Sequence, residues 1–91
     1  MTYEYTPQAC GSGPFLDYLD GVTREAMVRV FGTPPEGYWN PDSGYDGEEW
    51  YFTGEGGEIF FVYARWGNFR VGGMADPAPF KAWLRARLGL A

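Results

Sequence analysis

Ninety-one residues with a net charge of −5, 20% aromatic content, one cysteine and no histidine set narrow bounds on this protein. That length suits a single domain over residues 1–91, burying only roughly 60–65% of the surface its unfolded chain exposes, with aromatic side chains compensating for a small core. The lone Cys10 excludes an internal disulfide, the missing imidazole removes the commonest general base and metal ligand, and no run of about 18 apolar residues suggests a membrane span.

Residues 1–13 alternate weakly at Tyr3 and Tyr5 and then break at Pro7, Gly11 and Gly13, which reads as a short extended arm or edge strand. Pro14 suits the first turn of a helix, and Phe15, Leu16, Tyr18 and Leu19 form an apolar stripe opposite Asp17 and Asp20. Gly21 ends that short helix. Thr23 is the expected N-cap of a second one, with Glu25 in its first turn and Ala26, Met27, Val30 and Phe31 at helical spacing. Gly32, Pro34 and Pro35 stop it.

Residues 35–47 are turn chemistry throughout, with Tyr38, Trp39 and Tyr45 interleaved among acids. Loops this polar seldom carry large rings, so these either tuck back onto the core or stay exposed for a partner.

The stretch 48–73 organises the chain. Its aromatic and β-branched runs between glycine-rich breaks read as three antiparallel strands, 49–53, 58–65 and 69–72. Residues 54–57 make a four-residue turn, and Gly67-Asn68 a two-residue hairpin turn. This register sets Phe52 opposite Ile59, Trp50 opposite Phe61 on the same face as Tyr63, and Arg65 opposite Arg70. The last pair is unfavourable, and a one-residue change in either turn flips every side chain to the other face.

Asp76 then caps a final helix with Pro77 at its first position. Phe80, Trp83, Leu84 and Leu88 form its buried stripe, Lys81, Arg85 and Arg87 its wet side, and Gly89 its end. The expected architecture is α+β: a three-stranded antiparallel sheet packed by two N-terminal helices and one C-terminal helix.

Catalytic signatures are missing from this sequence. Cys10 has no imidazole to activate it, zinc fails on ligand count, and the run 42–49 lacks the alternating acids and the twelfth-position Glu of a calcium loop, where Thr53 falls. Gly72-Gly73 makes no phosphate loop. Arg65, Arg70 and Trp66 would suit single-stranded nucleic acid, but they oppose a larger negative field. The sequence therefore favours no catalysis, no cofactor, no metal, no direct nucleic-acid contact and no membrane contact. With no secretory signal pattern visible, the cytoplasm is the expected compartment.

Charge is unevenly placed. Residues 36–58 carry seven acids and no base, while five of the seven bases fall in residues 59–91. Such a block repels phosphate and either attracts a basic partner protein by mimicking a polyanion or merely keeps an aromatic-rich chain soluble. The candidate partner-binding residues are Glu36, Tyr38, Trp39, Asp42, Tyr45, Asp46, Glu48, Glu49, Glu55 and Glu58. The alternative is a structural module that dimerises or docks through an aromatic sheet face, so monomer and homodimer both stay open.

Two resemblances accompany these readings. The run with Gly21, Thr23, Phe31, Gly32, Pro34 and Trp50 resembles the helix–helix–three-strand unit of the β-lactamase inhibitory protein and the small outer-membrane assembly lipoproteins. The second half, through Glu49, Trp50, Phe52, Tyr63, Val71, Gly72 and Gly73, looks like small phage-borne proteins, anti-CRISPR inhibitors among them. The second resemblance implies a non-catalytic inhibitor acting in the host cytoplasm, its acidic face occupying a basic, nucleic-acid-binding surface of a defence complex.

Overall fold

A computed structural model describes residues 2–9, 11, 13–34 and 45–90, and for Tyr45 and Asp46 the backbone alone. The chain runs β1 (Tyr3–Tyr5), β2 (Phe15–Tyr18), α1 (Arg24–Phe31), β3 (Tyr45–Gly54), β4 (Ile59–Arg65), β5 (Asn68–Gly73) and α2 (Ala78–Arg87). All the strands join one antiparallel sheet in the order β1-β3-β4-β5-β2. The two-layer α+β class holds. The expected three-stranded sheet with three helices does not: there are five strands and two helices among the described residues.

The missing helix explains the difference. Phe15–Tyr18 is an edge strand on β5. Four apolar-rich residues are too few to sustain helical turns, and the neighbouring β5 offers them a hydrogen-bonding edge. A register shift between Phe15 and Asp17 turns both Phe15 and Tyr18 to one side and sends Asp17 to α2. The weak alternation at Tyr3 and Tyr5 likewise becomes β1, which pairs with β3 and leaves β2 and β1 as short edges.

Both hairpin turns differ from expectation by one residue. Gly54 N–H donates to the Glu58 carbonyl and Gly57 N–H to the Gly54 carbonyl, so the first turn is three residues long, with Gly57 at φ 86°. Arg65 pairs with Asn68, so the second turn is Trp66-Gly67, with φ of 55° and 79°. Phe52 therefore opposes Phe60, Trp50 opposes Val62, and Arg70 opposes Tyr63 instead of Arg65. Phe61 leaves Trp50's face altogether. The like-charge pair across β4 and β5 disappears.

Both helices lie on one face of the sheet. Trp50, Phe52, Phe60, Val62 and Val71 are buried there against Met27 of α1 and Phe80 and Leu84 of α2, each burial contributing about 1.5–3 kcal/mol. Phe60 and Phe80 stack with centroids 4.8 Å apart and planes 6° from parallel. The α1 ends follow the sequence: Thr23 Oγ1 accepts from Ala26 N–H, and Gly32 at φ 87° stops the helix. Trp50 Nε1 donates to the Gly32 carbonyl at 2.9 Å, tying that end to β3. At α2, Asp76 Oδ1 accepts from Ala78 N–H, and Gly89 and Leu90 return hydrogen bonds to the Ala86 and Arg85 carbonyls.

The second face carries no helix among the described residues. Its rows follow from the pairing: Tyr51, Phe61, Gly72 and Phe15 in one, Glu49, Tyr63, Arg70 and Tyr18 in the next. Between edge strands β1 and β2, Gly11 lies beside Ile59, and Gly13 crosses close to the Gly73 backbone. A Cβ on Gly13, at φ 156°, would sit 2.4 Å from the Gly73 carbonyl oxygen, so glycine is required at that crossing.

Candidate functional site

The acids expected to form one surface are found in separate places. Glu36, Tyr38, Trp39 and Asp42 lie outside the described residues, as do the side chains of Tyr45 and Asp46. Glu48 points to the helix side, where Arg24 from the first turn of α1 holds it with a two-pronged pair, Nε to Oε1 at 2.7 Å and Nη2 to Oε2 at 2.8 Å. Its side chain is 18% exposed. Glu49, one residue on, belongs to the second face and accepts from the Tyr51 hydroxyl at 3.2 Å. The alternation of β3 alone separates these neighbours.

Glu55 and Glu58 do come together, in and beside the β3–β4 turn. Glu55 accepts from the Thr2 hydroxyl and from Thr2 N–H, and these bonds hold its carboxyl below the usual range, the hydroxyl's being the larger cause. Glu58 Oε1 accepts from Gly56 N–H at 2.9 Å. The Tyr3 phenol is pushed above its usual value, first by burial and then by the fields of Glu58, Glu55 and Asp76. A shared negative field thus exists at this end of the sheet.

The second face gathers what the sequence reading dispersed. Phe15 and Tyr18 are 43% and 49% exposed, with ring centroids 4.9 Å apart. The Arg70 guanidinium lies 5.7 Å from the Phe15 ring and 5.3 Å from the Tyr18 ring, within cation–π range of both. Its Nε is shielded from solvent and has no hydrogen-bond partner among the described residues. Phe61 bridges Tyr51 and Tyr63 at centroid distances of 5.8 and 5.5 Å and covers Gly72, where a Cβ would lie 2.4 Å from the ring. At the far end of the β4–β5 hairpin, Trp66 is 65% exposed and holds a left-handed backbone that usually goes to Asn or Gly.

Phe15, Tyr18, Tyr51, Tyr63 and Arg70 were all absent from the expected site. Reading Phe15–Tyr18 as helix concealed the first two, and the one-residue hairpin offset moved Arg70 from beside Arg65 to beside Tyr63. The length of the apolar run was the available signal for the strand.

Among the described residues, the two carboxylates with shifted acidity, Asp17 and Glu55, are both lowered, Asp17 chiefly by the Lys81 ammonium and Glu55 by Thr2, so neither stores a proton for acid catalysis at neutral pH. Among the described residues no group of three metal-ligating side chains converges, and no helix is long and apolar enough to cross a membrane. The fold defines a small two-layer α+β protein, one sheet face under helices and the other bearing exposed rings. No family model, curated protein or solved structure matches the chain.

Proposed function

We propose that this chain is a non-catalytic binding protein of the cytoplasm whose working surface is the sheet face opposite α1 and α2. The observation that carries the reading is Arg70, set against Phe15 and Tyr18 with an unbonded, shielded Nε. Aromatic rings and arginine are the residues that concentrate binding energy at protein interfaces. Half-exposed rings held on rigid strands also lose little entropy when a partner covers them.

A second reading keeps the phage-type inhibitor and moves its anionic feature to the β3–β4 end. The field that Glu58, Glu55 and Asp76 impose on Tyr3 supports it. A basic partner surface would then be held by charge, with affinity falling steeply in salt.

Capture from a bacterial host lysate with three baits separates the two: the native chain, Phe15→Ser/Tyr18→Ser, and Glu55→Lys/Glu58→Lys. The first reading expects the partner to be lost with the ring variant and kept when salt is raised to about 1 M, where screening acts over roughly 3 Å. Loss with the charge variant and in salt, while the ring variant still binds, would replace it with the second.

A further inference from the structure

Resting on the sheet face opposite α1 and α2 as the working surface, we infer that one partner of that face is a second copy of this chain, held in a two-fold dimer by reciprocal Glu49–Arg70 pairs. Glu49, Tyr63 and Arg70 are direct cross-strand partners over β3, β4 and β5. Adjacent strands lie about 4.8 Å apart, so the two charges stand about 10 Å apart with Tyr63 midway between them.

A two-fold axis in the interface, parallel to β4 and above Tyr63, exchanges the two sides of the row. It brings each copy's Glu49 over the other's Arg70, and Tyr63 over Tyr63. Such self-complementarity is what an isologous interface requires, where residue i meets j and j meets i. Most unrelated partners would need a matching row of their own; a second copy carries it already.

The local chemistry agrees. Within its own copy Arg70 makes no ion pair or hydrogen bond to a described residue and is steadied only by Phe15 and Tyr18. Elsewhere, Arg24 and Lys81 already have acids, and Arg29 and Arg85 hold backbone carbonyls. Glu49 accepts from the Tyr51 hydroxyl and has carboxylate lone pairs left for a guanidinium. The rings beside the row supply the apolar contact that a charge pair alone lacks.

Sedimentation velocity of the full chain tests this over a concentration series, with circular dichroism confirming the fold of each variant. The native chain is expected to dimerise. Glu49→Arg and Arg70→Glu should each weaken association by roughly tenfold or more, because each sets two like charges together in the symmetric interface. The double swap Glu49→Arg/Arg70→Glu should restore the dimer, which no loss of fold or general stickiness would do. If either single variant misfolds, Glu49→Gln and Arg70→Gln replace them and should also weaken association. A native chain that stays monomeric, single variants that dimerise unchanged, or a double swap that fails to recover each overturns the proposal. A monomer whose lysate capture still depends on Phe15 and Tyr18 would reject self-association while leaving the binding surface standing.

Discussion

The two faces of the sheet share strands, residue types and hairpins, yet they solve different problems. On the helix side, Phe52, Phe60 and Phe80 are fully buried and the polar contacts are completed: Trp50 on Gly32, Glu48 on Arg24, Thr23 on Ala26. On the other side, Phe15 and Tyr18 remain exposed and Arg70 Nε has no hydrogen-bond partner among the described residues. Stability is concentrated on the first face. The second retains features that folding alone gives no reason to keep.

The sharpest way to break this contrast is truncation on each side. Phe80→Ala should cost about 3–5 kcal/mol in urea unfolding, because a buried ring leaves a cavity among Phe52, Phe60 and Tyr3. Phe15→Ala on the half-exposed edge should cost under about 1 kcal/mol. Equal losses would erase the distinction between the faces.

Gly13→Ala tests the close crossing of the chain before β2 over the Gly73 backbone. It should cost about 1–3 kcal/mol, since the added methyl meets the Gly73 carbonyl and the backbone is left-handed. A neutral outcome would mean that the crossing is looser than its geometry.

A smaller effect of opposite sign is expected at Trp66. Trp66→Asn should stabilise the fold by about 0.5–1 kcal/mol, because Asn-Gly suits two consecutive positive φ values far better than Trp-Gly. Destabilisation would show that the exposed ring contributes to folding after all.

The smallest expected effect is a pH dependence at the edge of the helix side. The Lys81 ammonium, 2.7 Å away, holds the Asp17 carboxyl below its ordinary 3.8. A lowered folded value contributes stability that is present above pH 3.8 and lost as pH falls through the lower folded value. Lys81→Met should therefore flatten that acid-side loss in urea midpoints measured across the acid range, and an unchanged acid slope would remove the pair from the account.

Much of the fold was legible where local chemistry is decisive. Thr23 as cap, Gly32 as stop, the Phe80–Leu84 stripe and the three central strands all follow from capping, spacing and β-propensity. The second face was obscured by two choices that local sequence does not settle. Phe15–Tyr18 becomes a strand because β5 offers an edge, a tertiary fact. The three-residue β3–β4 turn puts Phe60 and Val62 with Phe52 and Trp50 under the helices, and the β4–β5 hairpin closes on Trp66-Gly67, against local preference for Gly67-Asn68, with Val71 opposite Val62 and Arg70 opposite Tyr63. A Gly-Asn turn would relieve Trp66 but slide β5 by two residues, leaving Val71 on the helix face opposite Ala64 and setting Arg70 opposite Arg65. The observed register avoids that like-charge pair at the cost of one strained residue, while the acids of β3 are divided between faces by strand alternation alone.

Hydroxyl-radical footprinting of the chain, free and in its captured complex, tests the central claim most directly. The account predicts that labelling of Phe15, Tyr18 and Tyr63 falls on binding while residues 2–4 and 54–58 label as before. Protection confined to that acidic end, with Phe15 and Tyr18 labelling unchanged, would contradict it.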